Sequence, residues 1–260
     1  MPEQPLLRAA APMQLPKPRV AVVMPAYNAA RTLAETWRAI PRDVVQEVLL
    51  VDDASTDPTL MIAALLPIKT IGLPHNAGYG ANQKICYLEC LRADADVVVM
   101  VHPDGQYDPR LIPELIAPIV EGRADLVLGS RMMIKGGARK GGMPIYRYVA
   151  NRALTTLENL FLGTRLSEAH TGYRAYSREF LKTVPFMRNS NDFVFDTQVI
   201  VQAVAFRQRI VEVPICTRYH SDASSTSMPA NLKYGTATLW WTLRYRLDRI
   251  GLRSRLYRRR

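Results

Sequence analysis

Cysteine is scarce in this chain. Cys86, Cys90 and Cys216 are the only three in 260 residues, too few for a disulfide framework and suited to a reducing compartment. Cys86 and Cys90 stand four apart on an expected helix, yet no second Cys/His pair has zinc-ligand spacing, so both read as small core hydrophobes. Long apolar runs are lacking too. The best, 97–101 and 111–120, are short or interrupted, whereas a membrane span needs ~18 such residues. Residues 1–18 carry Pro2, Pro5, Pro12, Pro16 and Pro18 with no continuous apolar stretch, which excludes a signal-peptide reading and suggests an extended arm. A cytoplasmic protein is expected.

Acidic residues are the third shortage. Lys and Arg number 34 against 23 Asp and Glu, for a formal charge of +11, and the excess gathers at the end. From Arg244 onward, Arg246, Arg249, Arg253, Arg255, Arg258, Arg259 and Arg260 face one acid, Asp248, with Trp240, Trp241, Leu243, Tyr245, Leu247 and Ile250 interleaved. Two readings of 229–260 stand: an amphipathic helix on an anionic membrane surface, at the inner face of the cell membrane, or a helix packed on the domain with a solvated basic tail. No recognition motif accompanies the charge, so nucleic acid is not the expected partner.

With 48% hydrophobic residues the chain can bury one large core. Short apolar runs at 19–24, 47–51, 69–71, 96–101 and 125–128 alternate with helical patterns at 30–40, 78–92 and 110–120. That alternation predicts an α/β fold, a mostly parallel central sheet with helices on both faces. Asp108-Pro109 supplies a cap and a first-turn proline for the third helix. After Arg131 the segment 135–142 is glycine-rich and basic, hence flexible and able to meet an anion. Helices at 145–162 and 195–206 and a strand at 209–213 follow.

Two apolar strands end in polar clusters: Val23-Met24-Pro25-Ala26-Tyr27-Asn28, and Val48-Leu49-Leu50-Val51-Asp52-Asp53-Ala54-Ser55-Thr56-Asp57. Polar groups at the carboxyl edge of a parallel sheet describe a nucleotide pocket. In wording and spacing these clusters resemble the inverting family 2 glycosyltransferases, with a GT-A type nucleotide-sugar fold, and especially the dolichyl- and polyprenyl-phosphate sugar transferases. The resemblance extends over residues 20–225. It implies a UDP- or GDP-sugar donor, with Pro25, Ala26, Tyr27 and Asn28 walling the pocket and Asp52 and Asp53 reading the base; the alternative for the two acids is a strand-end and turn pair capping the next helix.

The resemblance also implies a divalent cation, Mg²⁺ or Mn²⁺, on the diphosphate. Val101-His102-Pro103-Asp104-Gly105-Gln106 resembles the family's carboxylate-x-carboxylate-x-Gln segment, with His102 where the first carboxylate stands. Asp104 is then the principal ligand, Gln106 a second contact, and His102 and His220 further candidates. Gly129-Ser130-Arg131 resembles the segment beside the acceptor, which gives Arg131 a phosphate-binding role. In Glu168-Ala169-His170-Thr171-Gly172-Tyr173-Arg174, Glu168 or His170 would serve as general base toward a hydroxyl acceptor; a phosphate acceptor needs none. Arg218 matches the basic residue that reaches the diphosphate. The expected division is an arm at 1–18, a glycosyltransferase domain at 19–228 with its nucleotide half at 19–131 and acceptor half at 132–228, and the basic helix or tail at 229–260. The acceptor expected is a polyprenyl phosphate, or alternatively a hydroxyl of a glycan or lipid; His102 in place of a carboxylate leaves a non-catalytic nucleotide-sugar-binding scaffold as the reading of a different class.

Overall fold

A computed structural model describes residues 17–217 and 228–251. In chain order its elements are β1 (Val20–Ala26), α1 (Leu33–Ala39), β2 (Glu47–Asp52), α2 (Thr59–Ala64), β3 (Lys69–Gly72), α3 (Tyr79–Arg92), β4 (Val97–Met100), α4 (Ile112–Val120), β5 (Leu126–Ser130), α5 (Gly137–Lys140), α6 (Ile145–Leu162), β6 (Arg174–Ser177), α7 (Arg178–Thr183), α8 (Phe195–Ala205), β7 (Ile210–Pro214) and α9 (Met228–Arg249). The strands form one sheet in the order β3-β2-β1-β4-β6-β5-β7. β1 to β4 pair in parallel, as do β5 and β7. β6 runs antiparallel between β4 and β5, so the sheet is mostly parallel, as the alternating pattern requires.

The period-two alternation of a strand sorts β1 between two cores. Ala21 and Val23 join Leu49, Val51, Cys86, Tyr87, Cys90, Phe180 and Val199 on the face covered by α3, α7 and α8. Val20, Val22 and Met24 join Leu33, Leu50, Ala63, Ile112 and Leu115 under α1, α2 and α4. Cys86 and Cys90 are buried as core residues, and burial raises both thiols, Cys90 to about 12.

α1 begins at Leu33 rather than near Ala30 because the intervening amides are engaged elsewhere. Ala29 N–H donates to Thr59 Oγ1 at 2.8 Å and Ala30 N–H to Asp57 Oδ2 at 3.0 Å, which ties the β1–α1 turn to the β2–α2 turn. Asp108 accepts from Arg110 N–H at 3.0 Å and opens the 3-10 turn Pro109–Leu111 that leads into α4. The glycine-rich loop is more ordered than its composition suggested: Gly137–Lys140 forms the short helix α5, with Ala138 buried.

α9 is packed rather than free. It lies on α6 and α8, burying Thr238, Thr242 and Tyr245, while Trp240, Leu243 and Ile250 stay exposed. The side chains of this helix thus divide between a packed face and an exposed one. Among the described residues no helix is long and apolar enough to cross a membrane.

Candidate active site

The polar strand ends converge at the carboxyl edge of β1, β2 and β4. Pro25 and Ala26 finish β1 as buried backbone, and Tyr27 then projects with 53% of its surface exposed. Asn28 adopts φ +53°, a left-handed turn that Asn tolerates. Its N–H donates to Ser55 Oγ at 2.8 Å, and its Oδ1 accepts from Thr56 N–H at 2.8 Å.

Asp52 and Asp53 are both buried. Asp52 accepts from Ser55 N–H at 2.9 Å and from the Ser55 hydroxyl. Asp53 accepts from Ala77 N–H at 2.7 Å and Gly78 N–H at 3.0 Å, fixing the entry to α3. Both therefore brace turns. An ionised carboxylate offers about four acceptor positions, so each keeps capacity beyond these bonds.

Asp104 sits half-buried past β4 and accepts Gln106 N–H at 3.0 Å through Oδ1. Among the described residues no group of three or more His, Cys, Asp or Glu forms a metal cage. A single hard carboxylate at the rim nevertheless fits a cation whose remaining positions go to phosphate oxygens and water. His102 stacks on Tyr79, ring centroids 5.5 Å apart, and Tyr79 on Phe193 at 4.8 Å. The Tyr79 hydroxyl donates to Asp196 Oδ2 at 2.8 Å. Burial, and then the Asp196 charge, push this phenol well above its ordinary pKa. Arg218 and His220 lie outside the described residues.

The acceptor-side candidates take up different work from that expected. Arg131 does not present an open fork: it is buried, donating Nε–H to Glu168 Oε1 at 2.8 Å, Nη2–H to the same carboxylate and also to the His170 carbonyl at 3.0 Å. Glu168, fully buried, further accepts Arg131 N–H at 2.7 Å and the Asn151 amide at 2.9 Å. A carboxylate so enclosed ties Arg131 and Asn151 together as a structural anchor.

His170 is also enclosed. Its Nδ1 lies 2.9 Å from the Tyr234 hydroxyl of α9, and its Nε2 lies 3.0 Å from Glu158 Oε2 of α6. That Glu158 contact has ion-pair distance without hydrogen-bond alignment, and neither Glu158 oxygen has a hydrogen-bond partner among the described residues. Burial by itself would lower the imidazole; Tyr234 and Glu158 outweigh it and raise it to about 10.

Asp196 was missed in the sequence. It opens α8, where an acid in the first turn is unremarkable, but here it accepts from Tyr79, receives Gln83 Nε2–H at 3.3 Å and faces buried Arg174 at 3.6 Å. The usable signal was an acid in the run Phe193-Val194-Phe195-Asp196, where flanking aromatics place it close to a core.

Comparison with known proteins agrees with this architecture. The family model described as Glycosyl transferase family 2 matches residues 21–184. A low-salt glycan biosynthesis hexosyltransferase, Agl6 of Haloferax volcanii, is 33% identical over 221 residues, 82% of this chain and 51% of its own. An undecaprenyl-phosphate mannosyltransferase of Micrococcus luteus is 28% identical over 246 residues, 88% of this chain and 99% of its own. Glucosyl-3-phosphoglycerate synthase from Mycobacterium tuberculosis in complex with UDP superposes with a TM-score of 0.68 at 20% identity, covering 88% of this chain and 80% of that one. The same synthase has also been solved with Mn²⁺, UDP and glucosyl-3-phosphoglycerate.

Proposed function

This chain belongs to glycosyl transferase family 2, and on that premise we propose that it transfers a hexose, with inversion, from a UDP- or GDP-sugar to a polyprenyl phosphate. The nucleotide occupies the edge walled by Pro25, Ala26, Tyr27 and Asn28, with Asp52 and Asp53 toward the base. Asp104, with help from Gln106, would hold a divalent cation, Mg²⁺ or Mn²⁺, which would supply the positive charge that offsets the departing diphosphate.

The observation that carries the phosphate acceptor is the engagement of both candidate bases. Glu168 is enclosed by Arg131 and Asn151, and His170 is buried between Tyr234 and Glu158, which raise its pKa. A hydroxyl acceptor needs its proton removed, whereas a phosphate arrives anionic and needs only cations. With Arg131 turned inward, the exposed Lys135, Arg139 and Lys140 around α5 are the groups suited to that phosphate.

A lipid-linked acceptor calls for peripheral membrane contact, and α6 and α9 supply the means. Tyr146, Val149, Leu157 and Leu160 form an exposed stripe along α6 at helical spacing, and the α9 helix packed on α6 exposes Trp240 and Leu243, with Ile250 exposed just past its end. Neither helix exposes an acid other than Asp248. On this reading 19–131 is the nucleotide half, 132–228 the acceptor half, and α9 with the basic tail the contact helix.

The test is transfer of labelled sugar from UDP- and GDP-sugars to a short polyprenyl phosphate, the matching polyprenol and a glycan, with and without Mn²⁺. Transfer to the phosphate alone is expected. Transfer to a hydroxyl acceptor with none to the phosphate would replace this reading by the glycan or lipid hydroxyl alternative.

A further inference from the structure

Phe193 keeps 45% of its surface exposed, although the segment around it is pinned. Its N–H donates to Asp192 Oδ1 at 2.7 Å, and Asp192 N–H donates to Ser190 Oγ at 3.1 Å. Asn191 accepts from Gly80 N–H at 2.8 Å through its carbonyl and from Lys84 Nζ at 2.7 Å through its side chain. The ring is thus held at a fixed place on the surface.

Two contacts define that place. On one side Phe193 stacks on Tyr79 with centroids 4.8 Å apart, and Tyr79 stacks on His102 at 5.5 Å. The ring therefore lies two stacking steps from the end of β4, where Asp104 follows His102 by two residues. On the other side, Lys233 of α9 donates to Asp192 Oδ2 at 3.2 Å. Trp240 stands seven positions after Lys233, about 10 Å along the same side of a helix, and it and Leu243 are exposed apolar groups of α9. Phe193 consequently stands between the exposed apolar face of α9 and the strand end that leads to Asp104.

The chemistry of the stack favours a hydrocarbon occupant. Its polar atoms are turned to one another: the Tyr79 hydroxyl donates to Asp196, its oxygen lies 3.2 Å from His102 Nε2, and Asp192 is engaged by the Phe193 amide and by Lys233. A sugar on this ring would bring hydroxyls to groups that are already committed, whereas an apolar chain removes ring surface from water and buries no polar group in doing so. We propose that Phe193 is the residue that selects an isoprenoid acceptor, the units nearest the phosphate lying on its open face between α9 and the end of β4.

This rests on the polyprenyl-phosphate reading given under Proposed function and adds to it a site for the hydrocarbon, separate from the cations around α5. The acceptor is then recognised by the chain next to its phosphate as well as by the phosphate.

The experiment is steady-state transfer by the full chain with geranyl phosphate as acceptor, donor and acceptor being varied in turn, for the wild type, Phe193→Ser and Phe193→Leu. Serine should raise the KM for geranyl phosphate about 10-fold, the effect of losing roughly half the burial of a phenylalanine side chain, with the donor KM unchanged. Leucine is apolar without being flat and should recover most of that loss. Photolabelling of the wild type with a diazirine analogue of geranyl phosphate does not depend on the folding of either variant, and should mark the peptide that contains Phe193. A donor KM raised alike by both substitutions would assign the ring to the transferred sugar and overturn the proposal. An unchanged KM for geranyl phosphate in Phe193→Ser, or labelling confined to other segments, would overturn it too, while wild-type transfer to geranyl phosphate left the acceptor reading standing. Wild-type transfer to a hydroxyl acceptor and to no prenyl phosphate would overturn both.

Discussion

Replacing Glu158 by Gln probes the buried charge that ties α6 to the segment ahead of β6. In the native chain His170 is raised to about 10, against ~6.5 in an unfolded chain. Because the folded value is the higher one, the resulting stability is fully present below about 6.5 and is lost as pH rises toward about 10. At pH 7 the native imidazole lies about three units below its pKa, which at about 1.4 kcal/mol per unit amounts to on the order of 4 kcal/mol. Glutamine keeps the shape of the side chain but not its charge, and the unpaired imidazolium then releases its proton rather than remaining charged in the interior. Tyr234, which also raises the imidazole, stays in place, so the loss is at most on the order of that figure and covers only the Glu158 share. The assay is urea unfolding of both proteins between pH 6 and pH 10. The wild-type advantage should shrink by about 1.4 kcal/mol per pH unit above neutrality. Other groups raised by burial, Cys86, Cys90 and Tyr87, are common to both proteins and cancel in the difference. A difference that is independent of pH, or that grows with it, would refute a protonated native His170.

Three further outcomes follow from the same geometry. Asp104→Asn should remove most transfer activity without shifting the urea midpoint, since the residue lies at the rim; full Mn²⁺-stimulated turnover would clear Asp104 of cation binding. Arg131→Ala should act first on stability, costing about 3–5 kcal/mol by leaving Glu168 buried and unpaired, and an unchanged unfolding midpoint with only a raised acceptor KM would instead place Arg131 on the substrate. Trp240→Ala combined with Leu243→Ala should reduce co-sedimentation with anionic vesicles several-fold at unchanged fold by circular dichroism, and wild-type binding should weaken with salt; salt-insensitive binding to neutral vesicles would show that charge does not direct the contact.

The sequence was legible where information is local. β1 and β2 are continuous apolar runs closed by polar clusters, and α6 and α8 show helical periodicity, so their positions could be read directly. α2 escaped notice because its six residues are too few for a period and carry no side-chain cap. β6 escaped for a different reason: it has four residues including Arg174 and Tyr176, and its antiparallel place between β4 and β5 is set by partners far away in the chain. The site divides in the same way. Candidate residues were identifiable by chemistry, but the facing of Arg131 and Glu168, 37 positions apart, has no local signature. Their buried pairing converts a phosphate fork and a base into one anchor. The engagement of His170 by α6 and α9 together was likewise invisible to any window of sequence.

Those long-range pairs have a common meeting place in residues 168–172. Glu168 holds Arg131 at the end of β5, and its own N–H donates to Glu212 Oε1 of β7 at 2.9 Å. The His170 side chain enters the α6–α9 pair while its carbonyl accepts from Arg131. Gly172 abuts His102 and donates its N–H to Tyr107 Oη at 3.0 Å. One short segment therefore links the helices that present an exposed apolar face to the strand end that carries Asp104. Its charges are buried, and separating a buried pair costs far more than rearranging exposed ones. Displacing α6 and α9 without displacing this edge of the site would require breaking such a pair. On the proposed function, with those helices against a bilayer, this segment would set the side of the site from which a lipid-borne phosphate arrives.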